Sequence, residues 1–182
     1  MKQEIDQIKQ GHAEIQKAIK YLVDSCLDEN GISKIANPKP VVLHSIRVGI
    51  NLLNYKYSKE IVIAGILHDV IEDAEISKEK IAEKFGNKIA AIVWAVSHDV
   101  DIADDQLRTK TLHAKMQEAG KDTVIVSIAD HIDNFPYLIY AKDDEEREWV
   151  RAKWLKFFDE VALLAKDEPI YEELKEKIEK IR

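Results

Sequence analysis

The apolar positions of this chain recur at three- and four-residue intervals almost from end to end, the period of helices with one buried face. Ile5, Ile8, Ile15, Ile19, Leu22 and Val23 mark a first amphipathic helix over residues 2–27. Asn30-Gly31 ends it, and breaks at Asn37-Pro38 and Lys39-Pro40 make the stretch to Pro40 a loop. A second helix is expected from Val41 to Tyr55, with Ile46, Ile50 and Leu53 inward. Ser58 is placed to cap a third, over 59–73, whose run from Ile61 to Leu67 is apolar all round. A helix with no polar face belongs at the centre of a fold. Ser77 caps a short helix ending near Phe85-Gly86, and residues 87–97 form another. An acidic loop, Asp99 to Asp105, leads to helices at about 104–119, 122–141, 143–166 and 168–181. No sustained two-residue alternation predicts a strand. The pattern predicts an all-α helical bundle.

Composition sharpens this picture. The chain has 182 residues, the size of one domain, and 1–182 is expected to be a single one. Its 6 Gly and 4 Pro are too few for the many tight turns of a sandwich or barrel. A net charge of −7 repels phosphate backbones and argues against a nucleic-acid partner. The single cysteine, Cys26, excludes an internal disulfide and any Cys-rich zinc cluster. No apolar run approaches the ~20 residues that span a bilayer, and the start lacks an apolar signal core. The expectation is a cytoplasmic protein without a membrane partner; oligomerisation is left open.

Chemistry concentrates at Leu67-His68-Asp69-Val70-Ile71-Glu72-Asp73, where the most apolar helix ends in one imidazole and three acids. At four-residue spacing, His68 pairs with Glu72 and Asp69 with Asp73, so one turn presents them together. Clustered carboxylates repel unless something positive lies among them, and a divalent metal removes that cost. Further ligands must come from elsewhere. His44 follows an apolar run on the preceding helix, and Asp130 ends the buried-looking run Val124 to Ala129. Two imidazoles and two carboxylates form a mixed nitrogen–oxygen set that suits manganese, iron or zinc. Glu72 and Asp73 are then placed to handle an attacking water, and Asn134, one turn after Asp130, to bond a substrate. Arg108, Lys110 and Lys115, at helical spacing before Asp130, are candidate phosphate contacts.

His44, then His68-Asp69, then a distant Asp130, all on helices, resembles the HD phosphohydrolase superfamily. The strings Ala64 to Asp73, Phe85-Gly86 and Ile128 to Asn134 are similar to the hydrolase domain of RelA/SpoT-type enzymes, over roughly residues 38–140. The resemblance implies an HD-domain helical bundle with N- and C-terminal helices packed on that core. It implies His44, His68, Asp69 and Asp130 as metal ligands, with manganese as the metal and iron(II) or zinc as substitutes. It also implies Glu72 and Asp73 as the catalytic acids, Asn134 as a substrate contact, and hydrolysis of the 3′-pyrophosphate of guanosine tetraphosphate. The family has a basic cluster before the first His that touches the nucleotide, which implies Lys34 and Lys39, the only two basic residues of that loop here, as substrate contacts. The chain also departs from the family's Tyr-Ile-x-His-Pro around the first His, having Val41-Val-Leu-His-Ser45, and has Ala74 after the acid pair where the family has Thr.

Other readings stay open from the residues themselves: a nucleotidase or nucleotide pyrophosphatase of other specificity, or a nucleotide-sensing HD domain without turnover. Ser97-His98-Asp99 lists the members of a hydrolase triad, but sequence neighbours cannot form its relay and no Gly-x-Ser-x-Gly elbow is present.

Overall fold

A computed structural model describes residues 2–35 and 39–182, with side chains for all of these except residues 2–8 and Ile139. The expected break at Asn37-Pro38 and the expected inward Ile5 and Ile8 lie outside the described residues and side chains. The chain is all-α. Its helices are α1 (Lys2–Cys26), α2 (Val41–Asn54), α3 (Lys59–Leu67), α4 (Val70–Asp73), α5 (Lys78–Phe85), α6 (Asn87–Val96), α7 (Asp105–Ala119), α8 (Lys121–Asn134), α9 (Asp144–Glu160) and α10 (Pro169–Glu179). Turns of 3-10 helix follow α8 (Phe135–Tyr140) and α9 (Ala162–Ala165). The described residues contain no strand beyond an isolated bridge between Leu27 and Ser33.

Two helices occupy the centre. Every residue from Ile61 to Leu67 of α3 is buried, as is every residue from Thr123 to Ala129 of α8. They pack on each other; α1, α2 and α6 also surround α3, and α2, α6, α7 and α10 also surround α8. Burying each Leu, Ile or Val side chain contributes roughly 1.5–3 kcal/mol. Side chains accept from backbone amides at helix starts. Ser58 accepts from Ile61, Ser77 from Lys80, Asp104 from Leu107 and Asp143 from Glu146, so each satisfies a donor the helix cannot.

The inward face of α2 differs from the expected one. Ile50 and Leu53 are exposed, Ile46 is half-buried, and the buried positions are Val41, His44, Ser45, Val48, Gly49 and Leu52. The reason is a close crossing with α3. A Cβ on Gly49 would meet Ile66 Cγ1 at 2.4 Å, and one on Gly65 would meet Leu52 Cδ1 at 2.3 Å. Two glycines let the backbones approach where larger residues would hold them apart, and that approach turns His44 inward.

The single helix expected over 59–73 is broken at His68-Asp69. The His68 imidazole donates from Nδ1 to Gly65 O at 2.8 Å, the carbonyl that the next residue's amide would take in an unbroken helix. Likewise, the helix expected to 141 stops at Asn134 and continues as 3-10 turns, because Pro136 has no amide to donate.

Candidate metal centre

Three elements bring the ionisable groups together. Helix α2 supplies His44, the α3–α4 break supplies His68 and Asp69, and the end of α8 supplies Asp130. Both imidazoles are buried. Ligand atoms of His44, His68 and Asp130 all lie within 4.8 Å of one another. His44 Nε2 is 3.0 Å from Asp130 Oδ1 and 3.2 Å from His68 Nε2. Asp69 Oδ2 stands beside both rings, 3.1 Å from His68 Nε2 and 3.7 Å from His44 Nε2, with Lys39 Nζ 3.7 Å away.

The hydrogen-bond partners fix what these rings offer. His68 Nδ1 faces a carbonyl, which can only accept, so Nδ1 carries a hydrogen and Nε2 is turned to the centre. His44 Nδ1 lies 2.6 Å from Asp133 Oδ2, again an acceptor. The two Nε2 atoms therefore face each other across 3.2 Å, flanked by carboxylates. That arrangement calls for positive charge between them. Without a metal, a proton on His68 answers that demand. Although burial favours a neutral ring, the carboxylates of Asp69 and Asp130 hold His68 well above the usual imidazole range. Burial pushes the two acids up, but nearby positive charge outweighs it: His68 and then Lys39 lower Asp69, and His44 and His68 hold Asp130 well below the carboxylate range. The donor set, two imidazole nitrogens and carboxylate oxygens, fits a divalent metal of the manganese, iron or zinc kind, whose binding would displace the proton.

Glu72 and Asp73 diverge. Glu72 lines a cavity of about 250 Å³ with His68, Asp69, Asp130 and Asn134, and its Oε1 accepts the backbone N–H of His98 at 2.7 Å. Burial pushes its carboxyl up to about 7. Asp73 does not line that cavity; burial and the nearby Asp69 raise it to about 6. Burial first, then the charges of Asp73 and Asp69, raise the Cys26 thiol to about 11.

Of the expected substrate contacts, Asn134 and Lys39 stand at the centre. Asn134 Nδ2 donates to Asp130 Oδ1 at 2.6 Å, and Lys39 Nζ donates to Asn134 Oδ1 at 3.2 Å. Lys34 points elsewhere: its amine donates to the carbonyls of Asp24 and Ser25 at the end of α1. Arg108 bonds Asp105 and the carbonyl of Ile102, on the His98 side of the cavity. Ser97 Oγ donates to Val93 O at 2.8 Å, so it back-bonds its own helix and makes no triad.

Sequence reasoning passed over Asp133, Arg47 and Tyr137, which form a chain of contacts behind His44. The available signal was spacing: Asp133 stands three residues after Asp130, and Arg47 three after His44, so each shares a helix face with a ligand.

Comparison with known proteins returns one family profile, described as HD domain, over residues 18–163. The chain is 24% identical over 140 residues to a guanosine-3′,5′-bis(diphosphate) 3′-pyrophosphohydrolase of Aquifex aeolicus, an alignment covering 75% of this chain and 20% of the relative. It is 29% identical over 107 residues to the Borreliella burgdorferi protein of the same name, covering 56% of this chain and 16% of the relative. The chain thus spans about a fifth of the length of these curated relatives. A solved structure of a metazoan ortholog of SpoT, described as hydrolysing ppGpp, superposes with a TM-score of 0.74 at 22% identity, covering 93% of each chain. A Listeria monocytogenes structure superposes with a TM-score of 0.66 at 19% identity, covering 80% of this chain and 99% of that one. At these identities the structural likeness speaks for the fold.

Proposed function

The chain belongs to the HD domain family, and we propose that it is a metal-dependent phosphohydrolase acting on a nucleotide, with guanosine 3′,5′-bis(diphosphate) as substrate and its 3′-pyrophosphate as the leaving product. The observation that carries this reading is the pair of facing Nε2 atoms of His44 and His68 beside Asp130 and Asp69. The names of the curated relatives supply the substrate class.

In this reading His44, His68, Asp69 and Asp130 hold the metal, with manganese proposed. When bound, the metal supplies acidity to a water and polarises a phosphoryl oxygen. The chain's own residues do the rest. Burial raises the Glu72 carboxyl, so it takes up a proton more readily than an exposed acid does. Its carboxylate takes a proton from the attacking water, and its protonated form returns one to the departing 3′ oxygen. The His98 N–H on Oε1 fixes the orientation of that carboxyl. Asp73, outside the cavity that Glu72 lines, acts in this reading through its charge on the neighbouring Asp69. Lys39 and Asn134, bonded to each other at the rim, meet the phosphates and sugar. The proposed setting is the cytoplasm; among the described residues no helix is long and apolar enough to cross a membrane.

The test is direct. Protein stripped with a chelator and given manganese and guanosine tetraphosphate should release pyrophosphate. Glu72→Gln should lower kcat by at least ~100-fold, as a general acid–base group contributes, and Asp69→Ala, which removes a proposed metal ligand, should abolish metal-dependent turnover. Release from other nucleotides but not from the tetraphosphate would move the substrate. Full activity in a folded Asp69→Ala protein would sink the mechanism.

A further inference from the structure

The two imidazoles at the centre are held from behind in different ways. His68 Nδ1 donates to the neutral peptide carbonyl of Gly65. His44 Nδ1 meets a full carboxylate, Asp133 Oδ2, at 2.6 Å. Both Asp133 oxygens are also gripped by the Arg47 guanidinium, Nε to Oδ1 at 2.7 Å and Nη2 to Oδ2 at 2.8 Å, a planar two-point clamp. Arg47 is held in turn: Nη2 is 2.7 Å from the Tyr137 hydroxyl, and the guanidinium lies 5.9 Å from that ring's centre.

We propose that Asp133, clamped by Arg47, is a positioning residue that sets how tightly His44 holds the metal. The inference rests on the metal-binding reading above. A carboxylate on Nδ1 pushes electron density across the ring and makes Nε2 a stronger donor than a carbonyl does. It also fixes the tautomer and prevents the ring from turning. Asp133 contributes no ligand atom itself, because both of its oxygens face Arg47 and His44. The two-point contact from the Arg47 guanidinium, always a cation, keeps its partner a carboxylate. The residues lie on two helices, α2 and α8, whose packing brings them together. The arrangement therefore makes His44 the tuned ligand of the pair and His68 the plain one.

The experiment measures affinity, not turnover. Wild type, Asp133→Asn and Arg47→Met are stripped with chelator, and manganese and zinc dissociation constants are read by competition with a metal indicator. Urea unfolding of the metal-free proteins runs beside it. Asp133→Asn should bind metal 10–100-fold more weakly, the range for losing such a partner. Arg47→Met, which leaves the acid in place but unclamped, should lose several-fold. A purely structural role for Asp133 would lower the metal-free unfolding midpoint while leaving metal affinity as in wild type, and that outcome overturns the proposal. Should Asp133→Asn not fold, unchanged affinity in Arg47→Met overturns it alone. A wild-type protein that binds neither metal overturns the metal reading beneath it, which is a distinguishable failure.

Discussion

A buried imidazole with an unsatisfied nitrogen is a weak point in acid, and His98 is one. Its Nδ1 is buried with no hydrogen-bond partner among the described residues. Burial first, then the nearby charges of Lys153, Arg108 and Lys115 against that of Asp105, hold the ring down at about 4. The unfolded chain, with a free imidazole near ~6.5, then binds the proton more readily than the folded one. The stability this group contributes is complete above that value and is lost as the pH falls through 6.5 towards 4. After allowance for partial exposure, wild type should lose about 1–2 kcal/mol more between pH 7 and pH 5 than His98→Asn does. Urea unfolding of the two proteins at both pH values checks this. The raised groups Glu72 and Asp73 titrate in both proteins, and their contributions cancel in the difference.

Residues of this kind also mark the limit of what the sequence discloses. His68 and Asp69 were legible because ionisable groups rarely end an all-apolar helix, so their type and position disagreed with the surroundings. Asp133 was not: in a chain with 34 acids, one more acid beside a candidate ligand carries no contrast. Lys34 and Lys39 show the same limit. Their spacing before His44 is symmetrical evidence for both, yet one amine ends α1 and the other reaches Asp69 and Asn134.

Among the elements, the α2–α3 crossing does most to build the centre. The periodicity of α2 admitted two inward faces. The larger residues Ile46, Ile50 and Leu53 favoured one, while the structure uses the face that contains Gly49 and Ser45. Residue size misled because the crossing is tight: what matters at a close approach is the absence of a side chain. Helix existence and the central place of α3 were legible throughout, whereas the interruption at His68-Asp69 was not, since it comes from a side chain competing for the Gly65 carbonyl. A testable consequence follows at Gly49. Its missing Cβ would meet Ile66 Cγ1, an inner atom of a β-branched, buried side chain that cannot swing clear. Gly49→Val should cost ~1–3 kcal/mol of stability by overpacking, visible as a lower urea midpoint. Should the variant be as stable as wild type, the crossing is looser than its geometry implies.

At the scale of the whole molecule, the core gathers buried residues from α1 through α10, and the proposed metal centre sits where α2, α3 and α8 meet. A ligand that binds only this assembled arrangement stabilises it by mass action. With free metal at a hundred times its dissociation constant, the gain is about 2.7 kcal/mol. For a chain of this size that corresponds to a rise in Tm of about 5–10 °C. Thermal melts before and after chelation, with metal restored in a third sample, check it; superimposable melts would mean that no metal is held by the folded state.

The order in which the ligands occur along the chain has a kinetic consequence. His44, His68 and Asp69 lie on the helical hairpin of α2 and α3, near neighbours in sequence. That hairpin closes a short loop and needs little search. Asp130 arrives only when α8, far downstream, docks against it. Three of the four donors are thus assembled locally, and the last comes with a docking across some 86 residues of chain. A bound ion would act as a latch on that docking, holding shut a seam between distant parts of the chain.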